Sequence, residues 1–284
     1  MRNELNTHLR SVVSWRDYRI DPRYFILAFL SSFAIAGQVY LGFFQKWDAV
    51  LVSVFCTMGT EVILNRLRNK TWIFPLSALI TGIGVSLLLS SNQLWAYALT
   101  AVIAIALKYA IRFKGGHIFN PNNVAMVIML YSLPQYAVST PKQWTNGIGV
   151  MIVILSLGIV VCYIANRFDA VLAFLGSFTL FAFVRHFFFG APLFAALGPL
   201  MGASLQLFAF FMITDPKSTP ATRSARIGFA FLVALLDAIF RINRIPNPQF
   251  YALFLVCLVL IIPYRLWAAR KTEPGSGPGL TANS

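Results

Sequence analysis

Apolar runs separated by short polar stretches repeat along the chain from position 24 to position 266. An apolar helix of about 20 residues crosses a hydrocarbon core of about 30 Å, and a helix satisfies its own backbone hydrogen-bonding groups inside lipid. The pattern therefore predicts an all-α integral membrane protein with about ten transmembrane helices. Their predicted bounds are 24–44, 47–66, 72–90, 94–113, 121–137, 147–166, 169–187, 192–213, 227–241 and 249–266.

Lysines and arginines between these runs predict the orientation. With the N-terminus inside, 18 Lys and Arg side chains lie on the cytoplasmic side and 5 lie outside. Pro134 interrupts the fifth run, and a fifth segment that entered and returned on the same side would change the count to 15 inside and 8 outside. Because cytoplasmic loops carry the excess of Lys and Arg, the counts favour ten crossings with both termini cytoplasmic.

The chain divides into three parts. Residues 1–23 are polar and basic and are predicted to form a cytoplasmic segment, without the apolar stretch of a cleavable signal peptide. Residues 24–266 form the transmembrane domain, which admits a five-plus-five inverted repeat although no obvious self-similarity demonstrates one. Residues 267–284 end in a stretch rich in Gly, Pro, Ser and Thr and are predicted to be a disordered cytoplasmic tail.

The amino-acid composition indicates which kinds of partner and site to expect. Hydrophobic residues make up 58% of the chain and charged residues 11%, which leaves no soluble catalytic domain. The net charge of +14 comes from short basic clusters between apolar runs, so the lipid bilayer, and not nucleic acid, is the expected partner. Cys56, Cys162 and Cys257 lie in separate apolar runs, which predicts buried free thiols and neither a disulfide framework nor a metal site.

The first candidate binding element is the polar loop KGGHIFNPNN at 114–123. Gly115 and Gly116 permit close approach of the backbone. Asn120 followed by Pro121 has the form of a helix N-cap with proline at the first helical position. The free N–H groups of such a helix start attract anions or electron-rich carbonyls.

The second candidate is FMITDPKSTP at 211–220, where Asp215–Pro216 repeats the cap-then-proline form before the short run 227–241. Paired short or interrupted segments mark the binding site in many transporters. The alternative is that the form is only a helix start in this chain, since Asp21–Pro22 and Asn247–Pro248 also precede apolar runs.

Two carboxylates, Glu61 and Asp237, lie within predicted spans and are candidate sites for a coupling proton or cation. The alternative is a local ion pair at the membrane edge. Glu61 has Arg66 and Arg68 nearby on its own helix, and Asp237 has Arg241 at i+4, on the same face.

The loops 115–123 and 210–220, in this order in a ten-span chain, resemble the family of the membrane subunits NqrB and RnfD, from sodium-translocating NADH:quinone oxidoreductase and Rnf electron-transport complexes. The string NPQFYALFLVCL at 247–258 is similar to the segment before that family's last helix. The resemblance covers residues 24–266.

The resemblance implies a ten-helix inverted-repeat bundle in a bacterial inner membrane that binds flavin (FMN or riboflavin) and takes part in electron transport coupled to ion transport. Other membrane or redox subunits would be its partners. An Asn at a helix start could bond the flavin carbonyls or ribityl hydroxyls, and the positive helix end would stabilise the reduced, anionic ring. The cofactor-binding residues implied by position are Gly115, Gly116, Asn120, Pro121, Asn123, Thr214, Asp215 and Pro216.

The chain departs from that family in its flavin attachment. Many members carry FMN covalently on a Thr in an S-G-A-T-like stretch, which neither 202–204 (GAS) nor 139–141 (STP) reproduces. The expected flavin is therefore non-covalent, and no residue is assigned to covalent FMN. Asn122 also replaces the Ala that follows N-P in the family. These differences favour a divergent, stand-alone branch, like the NqrB-like proteins of enediyne gene sets.

Two other functions stay open. One is a cofactor-free transporter or channel that uses the two helix starts as a substrate site and Asp237 as the coupling acid. The other is an accessory or scaffold protein. Sequences for nucleotide cradling, Ser/His/Asp catalysis and paired hydrolytic carboxylates do not occur, so the chain would be at most a flavin-carrying or non-catalytic subunit.

Overall fold

The computed structural model describes residues 22–39, 47–72, 74–113, 116–117, 119–139, 148–164, 166–215, 218–220 and 222–263. These residues are almost entirely helical, which confirms the all-α prediction. The helices are α1 (Pro22–Val39), α2 (Trp47–Asn69), α3 (Leu76–Leu88), α4 (Leu94–Ala110), α5 (Pro121–Ser132), α6 (Ile148–Ile164), α7 (Phe168–Phe189), α8 (Leu193–Leu197), α9 (Ala203–Leu207), α10 (Arg223–Ile242) and α11 (Pro248–Val256).

Within the described ranges, four two-residue strands form two antiparallel pairs. They are β1 (Leu89–Ser90), β2 (Arg112–Phe113), β3 (Gly116–His117) and β4 (Val138–Ser139). β2 and β3 close the turn between α4 and α5. β1 follows α3 and pairs with β4, which follows α5.

Among the described residues, two helices, α2 and α7, are long and apolar enough to cross a membrane by themselves. A third crossing is formed if the bent pair Leu193–Met201 and Ser204–Met212 counts as one broken span, with 58° between its two parts. The chain is thus a membrane protein, whereas the number ten, the inverted repeat and the positions of the termini stay predictions.

The interior is built from aromatic and small side chains. Phe174 and Phe178 on α7 are fully buried, as are Phe208, which packs on Phe174, and Phe250, which packs on Phe208. Large apolar side chains cover the outside, among them Phe194, which is 92% exposed. In lipid this exposure carries no penalty, since hydrocarbon surrounds the helices.

The short and interrupted helices differ in part from the prediction. The fifth run forms only the 12 residues of α5, since helical geometry is disfavoured at the residue before proline, here Leu133. The run 227–241, predicted to be short, belongs to a helix of 20 residues that begins at Arg223. The interruption in the second half lies instead within the predicted span 192–213.

That span consists of α8, a 3₁₀ turn at Gly198–Met201, α9 and a π-helical turn at Phe208–Met212. Pro199 cannot donate a backbone hydrogen bond, and Gly202 is extended at the junction with α9. Both residues break the α-helical ladder within an otherwise apolar stretch.

Candidate functional site

The start of α5 has the local structure that its sequence predicts. Asn120 is the N-cap, and its Oδ1 accepts a hydrogen bond from the backbone N–H of Asn123 at 3.2 Å, with Pro121 at the first helical position. Asn123 is buried, and its Nδ2 donates to the carbonyl of Phe250 on α11 at 3.2 Å. Gly116 lies in β3, while Gly115 lies outside the described residues.

Two polar atoms near this helix start are buried without a hydrogen-bond partner among the described residues: Oδ1 of Asn122 and Oδ1 of Asn123. Asn122 lies against Gly84 of α3, where a Cβ would come within 2.5 Å of Nδ2 of Asn122. A side chain at position 84 would displace this amide, which ends a flexible side chain and can shift. Buried amide oxygens are normally satisfied, so these two mark a place where a ligand, an ion or water could bind.

Glu61 of α2 pairs with Lys108 of α4. The ammonium of Lys108 donates to both carboxylate oxygens of Glu61 at 2.6 Å and to Oγ of Ser77 at 3.1 Å. The side chains of Lys108 and Glu61 are only 7% and 14% exposed, so the ion pair is shielded from solvent.

The interpretation of Glu61 as paired with arginines on its own helix is wrong. Arg66 donates to the carbonyl of Lys70, and Arg68 donates to the carbonyl of Tyr109. Packing of α2 against α4 brings Lys108 to Glu61, and sequence spacing along one helix cannot reveal that contact.

A pocket adjoins this ion pair and the start of α5. Its enclosed volume is about 10 Å³, which is space for about one water molecule. Its lining residues are Leu107, Lys108, Ile111, Phe119, Pro121 and Val124. The wall is thus apolar apart from one ammonium group, and it includes Pro121 of the Asn-Pro motif.

The Thr-Asp-Pro loop forms a turn and not a helix start. The carbonyl of Asp215 accepts the backbone N–H of Thr219, and Oδ2 of Asp215 accepts from Oγ of Ser218 at 3.0 Å. Helix α10 begins later, with Thr222 as its N-cap. Pro216 lies outside the described residues.

Thr214 has a local structural role. Its hydroxyl donates to the carbonyl of Phe210, which also accepts from Sγ of Cys162 at 3.4 Å. The π-helical turn at Phe208–Met212 alters the regular hydrogen-bond ladder here, and these two side chains satisfy the carbonyl of Phe210.

Charged side chains link the Thr-Asp-Pro loop to the starts of α7 and α10. Arg226 of α10 pairs with Asp169 of α7 at 2.6 Å. Arg167 donates to the carbonyl of Pro220 at 3.1 Å. Burial and the nearby Arg226 lower the pKa of Arg167, whereas Asp169 and Asp215 raise it. The loop is therefore part of a charged cluster and not an isolated cap.

The described contacts do not join the two predicted loops. The start of α5 contacts α11 through Asn123 and Phe250, while the turn at Asp215 lies beside the starts of α7 and α10. A single cavity shared by Asn120 and Asp215 stays a prediction.

Asp237 forms the ion pair with Arg241 that the i+4 spacing predicts. Nε of Arg241 donates to Oδ2 at 2.7 Å, and Nη2 donates to Oδ1 at 3.2 Å. Asp237 is fully buried. A proton- or cation-coupling role for this carboxylate stays a prediction.

Hydrogen bonds extend from this pair into other elements. Nη2 of Arg241 lies 3.4 Å from Oε1 of Gln249, whose Nε2 donates to Oγ of Ser204 at 3.2 Å. The hydroxyls of Ser204 and Ser139 lie 2.9 Å apart. Arg185 of α7 lies beside Asp237 and Arg241 in the same cluster, and its guanidinium lies over the ring of Phe178.

Sequence reasoning missed Lys108 and Arg185 as site residues, because both were counted as loop charges. A signal for them existed. Each lies inside an apolar run, at 94–113 and 169–187 respectively, and an ionisable residue within a span normally faces a partner. Ser139, Ser204 and Gln249 carried no comparable signal.

Comparison with known protein families identifies a match. No curated protein matches the chain. The family model described as NQR2, RnfD, RnfE family matches residues 6–149. This range contains Glu61, Lys108 and the Asn-Pro motif, and it covers half of the chain. The chain therefore belongs to the NQR2, RnfD, RnfE family, whose members are membrane subunits of ion-translocating electron-transport complexes.

Proposed function

We propose that this protein takes part in flavin-linked electron transport coupled to ion movement, with the flavin held non-covalently at the start of α5. The observation that carries the proposal is the meeting of three features at one place. These are the capped start of α5, the pocket beside Pro121 and the buried pair of Lys108 with Glu61. A flavin bound there would supply one- and two-electron redox chemistry.

The donor set of the pocket fits the carbonyl edge of a flavin ring. The ammonium of Lys108 lines the pocket, and the first N–H groups of α5 carry partial positive charge. Both favour an electron-rich carbonyl and any negative charge that the bound group gains. The apolar wall formed by Leu107, Ile111 and Val124 suits the flat, hydrophobic part of the ring.

The size of the pocket limits what it can hold. Its enclosed volume of about 10 Å³ is far below the roughly 300–1,000 Å³ of typical ligand sites. A flavin ring would therefore lie against the mouth of the pocket, and the side chains around it would have to move apart to admit the ring edge.

Glu61 is the carboxylate best placed for ion coupling to this site. At present Lys108 neutralises it with two short hydrogen bonds. Lys108 can turn toward additional negative charge in the pocket, because opposite charges attract strongly where water is excluded. Glu61 would then be free to take a proton or a cation, which links charge in the pocket to ion binding.

We also propose ten crossings of a bacterial inner membrane, with both termini cytoplasmic. The path of α5 supports a full crossing by the fifth segment. β1 lies near the start of α4, and β2 follows the end of α4. The chain turns from β2 to β3 and continues through α5 to β4. Because β4 pairs with β1, the end of this segment lies near the start of α4. The segment thus returns over the length of α4 and does not turn back at its own starting end.

Other subunits would exchange electrons with this protein. The family consists of subunits of multi-protein complexes, and 58% of the residues of this chain are hydrophobic. A redox partner with its own soluble domain would therefore complete the electron path.

The test is the visible absorbance of the protein purified in a mild detergent, with bound flavin extracted and quantified. Asn120→Ala removes both the cap and the amide, whereas Asn120→Ser keeps a capping oxygen and removes only the amide. If Asn120 contacts flavin, both variants lose most of the flavin.

The control is Asn247→Gly. Asn247 precedes α11 with a φ of 54° and makes no side-chain cap bond, and glycine tolerates this conformation. This variant should keep its flavin. Full retention in Asn120→Ser with loss in Asn120→Ala would assign Asn120 to capping alone. A wild-type protein without flavin would overturn the proposal and favour the cofactor-free transporter.

A further inference from the structure

Both described hydrogen bonds to the carboxylate of Asp237 come from Arg241. Two hydrogen bonds of 2.7 and 3.2 Å join the two side chains in the bidentate arrangement, which is the strongest geometry for such a pair. Gln249 accepts a further bond from Arg241 and so holds the guanidinium in place. Asp237 therefore balances one positive charge.

A second guanidinium, that of Arg185, lies in the same cluster. Arg185 is 7% exposed, and its Nη2 donates to the carbonyl of Ala196 at 3.0 Å. Both guanidiniums lie over the ring of Phe178, at 5.6 Å for Arg185 and 5.1 Å for Arg241. Nε of Arg185 is buried and has no hydrogen-bond partner among the described residues.

The charges in this cluster do not balance. Arginine stays protonated in proteins, so Arg185 and Arg241 bring two positive charges. Within the part of the chain that the structure describes, Asp237 is the only acidic side chain that forms an ion pair with Arg241 and the only one whose charge acts on Arg185. A buried charge without a counter-charge is strongly unfavourable, and a carbonyl and an aromatic ring offset only part of that cost.

We propose that this cluster binds a small monovalent anion, which accepts a hydrogen bond from Nε of Arg185 and restores neutrality. A water molecule could satisfy the unpaired N–H group but would leave the excess positive charge. A cation would add to that excess. The ion at this end of the molecule is thus an anion, with Asp237 acting as the fixed partner of Arg241.

This site does not depend on flavin binding. It lies near the ends of α7 and α10, whereas the pocket of the proposed flavin site lies between α4 and the start of α5. Loss of one site can therefore be told from loss of the other by measuring flavin content alongside anion binding.

The test is the melting temperature of the full-length protein in an uncharged detergent, at constant sodium and ionic strength, as chloride replaces gluconate. The expected result is a saturable rise in melting temperature with chloride. An unchanged melting temperature in the wild-type protein would overturn the proposal. A rise with phosphate-headgroup lipid but not with chloride would overturn it too, and would assign the cluster to a lipid headgroup.

Three variants make the test specific. Arg185→Gln should lose the chloride-dependent shift. Asp237→Asn removes the negative charge and should lower the chloride concentration at half-effect by about tenfold or more, since a nearby like charge is removed. Arg223→Gln, an exposed arginine at the start of the same helix as Arg241, should keep the wild-type shift. A merely structural role for Asp237 predicts no gain in chloride affinity.

Discussion

Lys108 illustrates how one residue can determine the stability of a membrane-embedded site. Its ammonium group forms two bonds of 2.6 Å to Glu61. Lys108→Met would leave Glu61 buried and unpaired, so we expect a loss of about 3–5 kcal/mol in the free energy of unfolding. The measurement is unfolding of the purified protein in mixed detergents.

The double variant Glu61→Gln/Lys108→Met tests the cause of that loss. With both charges removed, no unpaired charge remains, and the double variant should be more stable than Lys108→Met alone. Lys70→Met, at an exposed position, is the control and should change little. If the loss in the double variant equalled the sum of the losses in Glu61→Gln and Lys108→Met, that result would contradict the ion pair.

Residue-scale predictions succeeded where the interaction is local. The cap at Asn120 and the pair of Asp237 with Arg241 depend on neighbours three or four positions away, and periodicity places those neighbours on one face. Glu61 and Lys108 are 47 positions apart, so only helix packing reveals the pair. For the same reason the sequence could not place Arg185 beside the pair of Asp237 with Arg241.

At the scale of elements, hydropathy predicted most helices but not their breaks. The run 192–213 reads as one apolar span, because Gly198, Pro199 and Gly202 change its hydropathy little. The backbone nevertheless changes at these residues from α to 3₁₀ and back. The start of α10 was predicted too late in the sequence. Its first turn is polar, so the helix begins before the apolar run does.

Close packing of α3 on α2 depends on a glycine. A Cβ at Gly82 would lie 2.5 Å from Oγ1 of Thr57 and 2.7 Å from Cα of Val54. Backbone atoms cannot move aside cheaply, so Gly82→Ala should force the helices apart and cost about 1–3 kcal/mol of folding free energy. The check is the free energy of unfolding in detergent.

Gly59 on α2 supplies the matched control, since a Cβ there meets nothing within 4 Å. Gly59→Ala should be neutral or slightly stabilising, by about 0.5–1 kcal/mol, because alanine loses less backbone freedom. Equal destabilisation by both substitutions would show that the α2–α3 contact is looser than described.

At the scale of the whole molecule, polar contacts join the part that matches the family to the part outside the match. Ser139 lies within residues 6–149, and its hydroxyl meets that of Ser204, which bonds Gln249. Asn123 also bonds the carbonyl of Phe250. These buried contacts require both parts of the chain to fold together, because each part alone would leave polar groups unpaired.

The number of crossings can be tested at the C-terminus. α5 has 12 residues and is about 18 Å long, which is shorter than the hydrocarbon core of about 30 Å. The residues that lead on to β4 must therefore complete the crossing. If they do, the number of crossings is even and both termini lie on one side, which the Lys and Arg counts predict to be the cytoplasm. A green fluorescent protein fused after Ser284 should then fluoresce in intact bacteria, whereas alkaline phosphatase at the same position should be inactive.

Active phosphatase with a dark fluorescent fusion would place the C-terminus outside. The fifth segment would then enter and leave on one side, and the pairing of β1 with β4 could not lie at the far end of α4.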